Sequence, residues 1–512
     1  MIKQKNGWQE VDWDTALQYT REQLKTVIDK SGGDAIGALA SPSATLEELY
    51  LFQKFLRGLG CNNIDHRIRQ RDFTDQDVAP VFPALGQSIK DLEGNNAVLL
   101  IGSNVRKEQP IINHRLRTSV QKGCKLMLLN PVDYSFNYDI AEKLIVAPSV
   151  LIETLAGIIK AQLEDTKCEA EAGLRQLLGT VEVTGKHRAI ARILHQAGRG
   201  TVLLGSLAVA HPQYATLRAL AGCLASLCNV TLGYLSDGAN SAGAWLAGVL
   251  PHRNPAGKSA QAGLDAYAML ERQRGAYIQL GLEPEVDCWD GGLALRACQA
   301  AELVVALTAY RTPAMDDYAD VLLPIALPAE TSGTYINMEG ISQGFSGVVS
   351  PPGEARPAWK ILRVLGNYFN LAGFTYTAST QIRDEVMSII GDIRPDNEAR
   401  WKLPGSLQTA NGALQRVTDI PMNSIDPQVR RALALQQTAD IADGAIHINN
   451  QLAEKLGLGQ NKQAYIEQGT GSALLPVVID NRVPETCVLI QAGQACHASL
   501  GAWYGDIILR KE

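Results

Sequence analysis

The side chains best able to do chemistry are concentrated in the run NNIDHRIRQRDFTDQD at residues 62–77, where Arg67, Arg69 and Arg71 are interleaved with Asp65, His66, Asp72, Asp75 and Asp77. Carboxylates and an imidazole can hold a metal or move a proton. A guanidinium can do neither, because it stays protonated and has no acceptor. The run therefore admits two readings: a solvated face of balanced charge, or a set of charges that fills and neutralises a cleft. A second segment, ADVLLPIALPAETSGTYINMEGISQ at residues 319–343, begins as a short apolar strand that stops at Pro324. Proline cannot donate to a ladder. Glu330, a glycine turn at Gly333 and the polar run Asn337-Met338-Glu339-Gly340 follow. This places an open polar loop at the carboxyl end of a strand, the edge where open α/β sheets bind ligands. A third segment, Gly102-Ser103-Asn104, follows the apolar run 97–101. Gly102 there either approaches a phosphate or only turns the chain from strand to helix, and Arg106 and Lys107 leave an anion site open. Cys496-His497 reads as barrel packing in preference to a metal or nucleophile pair.

The eight histidines include no H-E-x-x-H, and the nine cysteines include no C-x-x-C. An odd, scattered set of cysteines implies buried or free thiols in a reducing compartment. An iron–sulfur cluster needs clustered thiolates, so none is expected in this chain. With 512 residues, 46% hydrophobic and 20% charged, the chain has globular composition and length for several domains. A net charge of −6 without a basic stripe argues against nucleic acid as a partner. No signal-peptide pattern follows Met1. The long apolar stretch 217–235 is broken by Arg218 and Asn229, which predicts a buried helix and a turn, with no direct membrane insertion.

These segments must be held by strands and helices. Residues 8–13 predict a short strand, with Asp14 capping a helix that buries Leu17, Leu24, Val27 and Ile28 and ends at Gly32-Gly33. Thr45-Leu46-Glu47-Glu48 is a capping box opening a helix with Leu49, Phe52, Leu56 and Leu59 inward. Buried strands are expected at 35–40, 97–101, 126–129, 202–204, 276–280 and 303–307, with helices between them. Such alternation implies parallel sheets covered on both faces. From about Asp443 short strands dominate, at 463–468, 474–479, 488–491 and 507–509, with one helix at 449–456, as in a small β-barrel. Residues 373–424 show no sustained period and read as a connector.

Several of these segments resemble, in order, the motifs of the molybdopterin oxidoreductases. WQEVDW at 8–13 is similar to the entry of their cofactor domain, VLLIGSN at 98–104 with Pro110 to their GxN loop, and AYIQLGLEP at 276–284 to their A-x-x-x-x-G-x-x-P loop. Residues 319–343 resemble their strand ADVVLP with the loop E-x-x-GTFTNxEGRxQ. The last 70 or so residues resemble their double-psi barrel. The resemblance implies an α/β fold of two Rossmann-like lobes with mostly parallel sheets, plus a C-terminal double-psi β-barrel. The expected divisions are a discontinuous lobe at 1–75 and 255–372, a second lobe at 76–254, a connector at 373–424 and the barrel at 425–512.

The resemblance also implies a loss of function. Redox-active members have a stretch like NN-x-D followed by a cysteine, selenocysteine or serine that ligates the metal. Here that position falls at or next to Arg71, leaving Asp72 as a remote carboxylate substitute. Asn130-Pro131-Val132 stands where Asp-Pro-Arg is common, Ile341 replaces the Arg of EGR, and Leu282 replaces a polar residue. Two lost arginines mean lost charge-assisted bonds to a dinucleotide's phosphates. Gly102, Asn104, Gly333 and Asn337 are then vestigial cofactor positions, with no catalytic residue, no metal ligand and no cofactor expected in this chain. NIDHRIRQRDF is similar to one branch in particular, the large iron–sulfur subunit of NADH:quinone oxidoreductase, complex I. That branch implies a structural and assembly domain that contacts other subunits of the peripheral arm. It would lie on the cytoplasmic side of the inner membrane and be soluble as an isolated chain. The branch's iron–sulfur clusters belong to an N-terminal region not present here, so the chain is expected to be a domain of a longer subunit or a split subunit. Two further readings stay open: an active molybdenum or tungsten bis-pterin oxidoreductase of the formate-dehydrogenase type, and a regulatory module that binds a nucleotide or pterin.

Overall fold

Strands covered on both faces must be apolar along their whole length, and the runs at Ile36–Ala40, Ala276–Leu280 and Leu303–Thr308 are buried throughout. A computed structural model describes residues 1–397, 402–407 and 412–512 and places these strands at the centre of one of two compact units. The first unit comprises Met1–Arg69 and Asp237–Arg394, the second Gln70–Ser236 and Pro395–Glu512. The chain leaves the first unit after Arg69 and re-enters it at Asp237. The reason lies in side-chain packing: helix Ser241–Ala247 packs on helix Leu46–Gly58, and the Asn240 amide bonds Ala44 O and Ile336 N, all within the first unit.

The first unit's sheet has seven strands in the order Gly7–Gln9, Ile2–Gln4, Val321–Pro324, Leu303–Thr308, Ala276–Leu280, Ile36–Ala40, Ile64–Asp65. The last five are parallel, with Ala276 in register with both Leu303 and Ile36. Their carboxyl ends therefore gather the loops at 41–45, 66–69, 281–287 and 325–330. The capping box is present: Thr45 Oγ1 accepts Glu48 N, and the Glu48 carboxylate accepts Thr45 N. Two expectations change near the start. The strand is only Gly7–Gln9, and the helix begins at Trp13 with Asp12, not Asp14, as its cap, because the Asp12 carboxylate accepts Thr15 N. The segment 333–345 is a hairpin, Gly333–Ile336 against Ser342–Phe345.

The second unit holds a five-stranded, fully parallel sheet in the order Glu142–Ile145, Lys125–Asn130, Ala97–Ile101, Gly200–Leu204, Thr231–Tyr234. Helices Pro148–Thr166, Gly185–His195 and Tyr214–Leu227 contribute leucine, isoleucine and alanine to the core beneath it. The C-terminal strands form a seven-stranded sheet whose end strands, Gly505–Asp506 and Ile508–Lys511, are consecutive in the chain. The two edges therefore meet and the sheet is a nearly closed barrel around Ile446, Ile466, Val477 and Val488. The barrel sheet also includes Gln415–Val417, from the expected connector. That strand reads as polar because its central Arg416 is buried, bonding Thr418 and Gln468. Helix Ser379–Ile390 also lies in the expected connector. It buries only Ile382, Val386 and Ile390, a stripe one residue wide that shows no broad period.

Candidate functional site

The charged run divides between the two units at Arg69. In the first unit it continues the short strand Ile64–Asp65. Asp65 is fully buried, and its carboxylate accepts Arg67 N at 3.0 Å, Arg67 Nε at 2.8 Å, Arg67 Nη2 at 2.8 Å and Ala266 N at 3.2 Å. Burial alone would raise this carboxyl; the Arg67 charge beside it prevails and lowers it. The Arg67 guanidinium lies 5.3 Å from the Trp245 ring centroid, and Arg253 lies 5.5 Å from the same ring. His66 is buried with Nδ1 2.8 Å from Val249 O. Burial pushes its imidazole down to about 4, against the pull of Asp65, so the ring is neutral and donates to that carbonyl. Arg69 bonds Asp237 at 2.7 Å and faces Asp287 at 3.7 Å. Ile68 O accepts Trp289 N, tying the run to the loop after Ala276–Leu280.

In the second unit Arg71 is half-buried and Asp72 is buried. Asp72 Oδ1 accepts Thr74 N at 3.1 Å and Thr74 Oγ1 at 2.7 Å; its Oδ2 accepts Ala215 N at 2.9 Å. Ala215 lies in the first turn of helix Tyr214–Leu227, whose own cap residue, Gln213, makes no side-chain cap bond. Asp72 thus supplies from afar the acceptor and negative charge that a helix N-terminus favours. Asp75 pairs with Arg218 on the same helix at 2.5–2.7 Å. Sequence reasoning missed the partners of both acids, because each lies 143 residues from its own.

In the five-stranded sheet the strand order reverses between Ala97–Ile101 and Gly200–Leu204, and the crevice there is where a nucleotide phosphate would lie. There the turn after Ala97–Ile101 packs tightly on the segment after Gly200–Leu204. Gly102 has φ +59, and a Cβ on it would stand 2.4 Å from Ala208 N; its carbonyl accepts Leu207 N and Ala208 N. A Cβ on Gly205 would stand 2.4 Å from Ser103 Cβ. Asn104 opens the short helix Val105–Glu108 without a side-chain cap bond. Lys107 is engaged by Asp440 at 2.6 and 2.8 Å, and Arg106 bonds Ser135 O.

In the first unit, Gly333 is a strand residue and not the expected turn. Its Cβ would stand 2.3 Å from Thr45 Cγ2, so close packing on the capping box requires the glycine. Asn337 builds the hairpin loop, Oδ1 accepting Glu339 N and Ile341 N at 3.0 Å each. Of the expected positions, Gly102 and Asn104 lie together in the second unit and Gly333 and Asn337 together in the first.

Two other polar groups stand apart from the expected set. In the barrel, His447 lies 3.0 Å from Asp443 and 3.4 Å from Asp480, which also pairs with Arg482 at 2.6 Å. Burial would lower its imidazole, but the hydrogen bond to Asp443 and the nearby Asp480 carboxylate raise it to about 9, so it is a cation and not a base at neutral pH. In the first unit, Glu285 is buried beside Tyr318, whose hydroxyl donates to it at 3.2 Å, and burial raises its carboxyl to about 7. Burial also raises the Cys496 thiol, so Cys496-His497 holds no activated thiolate; His497 Nδ1 lies 2.7 Å from Gln491 O. Among the described residues no helix is long and apolar enough to cross a membrane.

The family profile described as molybdopterin oxidoreductase matches residues 1–368. The chain is 27% identical to the F420-dependent formate dehydrogenase subunit alpha of Methanocaldococcus jannaschii, over 79% of this chain and 67% of that one. It is 29% identical to a subunit of the NADH-quinone oxidoreductase of Rhizobium meliloti, over 70% of this chain and 45% of that one. It is 25% identical to the NADPH-Fe(3+) oxidoreductase subunit alpha of Geobacter sulfurreducens, over 75% of this chain and 51% of that one. The chain thus spans about half the length of the last two relatives. The solved structure of acetylene hydratase from Pelobacter acetylenicus superposes with a TM-score of 0.71 at 14% identity, covering 100% of this chain and 90% of that one. That likeness establishes the fold: mixed α/β with parallel sheets and a nearly closed C-terminal barrel.

Proposed function

Because the chain belongs to the molybdopterin oxidoreductase family, its profile spanning residues 1–368, we propose that it is a member that has lost the cofactor and acts as a structural and assembly domain. In this reading it is the molybdopterin-like part of the large iron–sulfur subunit of an NADH:quinone oxidoreductase and contacts other subunits of the peripheral arm. The relative from Rhizobium meliloti, itself part of an NADH-quinone oxidoreductase, supports that placement.

One observation carries the reading. At the expected ligand position stands Arg71, a cation without an acceptor, next to Asp72, whose two carboxylate oxygens accept three protein donors and hold a helix end. A metal there would have to displace those bonds. In our reading these residues do not fit a metal-bound pterin, and no catalytic step is assigned to them. The comparable match to a formate dehydrogenase alpha subunit makes an active molybdenum or tungsten enzyme the competing reading.

The test is the molybdenum and tungsten content of the purified chain, with fluorescence detection of pterin released on denaturation. Near-zero values are expected. Close to one metal per chain together with pterin would refute the proposal and make the protein a redox enzyme.

A further inference from the structure

Helix Ser379–Ile390 is held to the first unit by little apolar surface, since it buries only Ile382, Val386 and Ile390. A polar joint stands beside that thin stripe. Lys54, on helix Leu46–Gly58, meets the segment that leads into Ser379–Ile390. Its Nζ donates to Gly373 O at 3.0 Å, to the Tyr376 hydroxyl at 2.6 Å and to Glu385 Oε1 at 2.8 Å, so each of its three protons has an acceptor. The same nitrogen lies 5.6 Å from the ring centroid of Tyr50, 5.5 Å from that of Phe374 and 5.1 Å from that of Tyr376. All three fall within the ~6 Å over which a ring face attracts a cation.

The walls around this nitrogen are fixed by bonds of their own. Tyr50, Phe374 and Tyr376 are buried. The hydroxyls of Tyr50 and Tyr376 each donate to the Glu385 carboxylate at 2.6 Å, which holds it between the two rings. Gly373 has φ +78, and a Cβ on it would stand 3.0 Å from Lys54 Nζ, so the glycine leaves room for the ammonium. The side chains of Lys54 and Glu385 are 22% and 37% exposed, which leaves the box open to solvent on that side. A carboxylate, a carbonyl and three rings around one point match one chemistry, a primary ammonium on an alkyl stem.

We propose that Tyr50, Phe374, Tyr376 and Glu385 form a binding box for a primary alkylammonium, and that Lys54 is its resident ligand, strapping residues 373–390 onto helix Leu46–Gly58. Phe374, Tyr376 and Glu385 come from the strap, Tyr50 and Lys54 from the helix beneath, so filling the box closes the joint.

The test uses the full chain. Lys54→Ala removes the ammonium and three methylenes, the atoms of n-propylammonium, and leaves the walls in place. Amide hydrogen exchange along Ser379–Ile390 is expected to quicken about tenfold or more in this variant. A four-atom ligand in such a box is expected to bind with a Kd of about 5 mM, so n-propylammonium chloride at about 50 mM slows exchange again by about tenfold. The same concentration of 1-propanol or sodium chloride is expected to restore nothing, and the amine to leave wild type unchanged because its box is full. Lys54→Met, whose own stem occupies the box, and Lys54→Ala combined with Glu385→Gln, which lacks the carboxylate, are expected to lose the restoration. Unchanged exchange in Lys54→Ala overturns the strap. Failure of n-propylammonium to restore protection, or equal restoration by 1-propanol, overturns the box.

Discussion

Replacing Asp72 separates the two roles open to it, ligand and helix cap. Asp72→Ala leaves the buried Ala215 N–H without its acceptor, at a cost of about 1–3 kcal/mol. It also removes a negative charge from the N-terminus of a 14-residue helix, about 0.3–1 kcal/mol more. Thr74 is exposed, so water replaces most of what its two bonds contribute, leaving about 0.5 kcal/mol. The total is about 2–4 kcal/mol. Asp72→Asn keeps an acceptor oxygen but not the charge and is expected to cost about 1 kcal/mol. A chain of several units does not unfold in one step, so the assay is native-state hydrogen exchange along Tyr214–Leu227. Asp72→Ala is expected to speed exchange at Ala215 and its neighbours by about 30-fold or more, at tenfold per ~1.4 kcal/mol, and Asp72→Asn by about fivefold. Protection within about threefold of wild type in Asp72→Ala refutes the cap. A metal content that falls in Asp72→Asn while the helix keeps its protection restores the ligand.

Two further predictions concern pH. His447 is raised in the folded barrel, so its contribution is fully present below the unfolded value near 6.5 and is lost as pH rises through about 9. Wild type should exceed His447→Gln by about 2 kcal/mol at pH ~6 and by nearly nothing at pH ~10, read from the barrel's own transition in the urea unfolding of both proteins at each pH. Taking the difference is essential, because burial raises the Cys223 thiol to about 11 and those of Cys228 and Cys487 to about 12, which destabilises both proteins alike in alkali. A gap that persists at the higher pH would refute the ion pairing. Glu285 has the opposite consequence: a carboxyl raised to about 7 by burial favours the neutral form, so folding weakens as pH climbs from about 4.5 through 7. Glu285→Gln should raise the midpoint of the first unit's own thermal transition at pH ~8 by the equivalent of about 2–3 kcal/mol and leave it unchanged at pH ~4; equal shifts at both would sink this account.

What the sequence determined by itself was what neighbours along the chain decide. The strands Ala97–Ile101, Ala276–Leu280 and Gln463–Gln468 stand where their apolar or alternating runs placed them, and the box at Thr45 and Glu48 forms as its spacing required. Burial periods and caps act within a turn or a pleat, so they leave a local trace. Where that trace is faint the reading slipped, as in the one-residue stripe of Ser379–Ile390 and the polar strand around Arg416. The site belongs to the other kind of information. The acids and arginines of residues 62–77 were visible, but whether they were solvated, ligating or paired was not. Asp65 finds Ala266 across 201 residues, and Asp72 and Asp75 find one helix across 143. A charge is neutralised by whatever lies within a few ångströms once the sheets are assembled, and neither composition nor spacing records that neighbour. Gly102 shows the same division: the sequence called for a residue without a side chain after the strand, and only the tertiary structure decided that the space is taken by the backbone at Ala208.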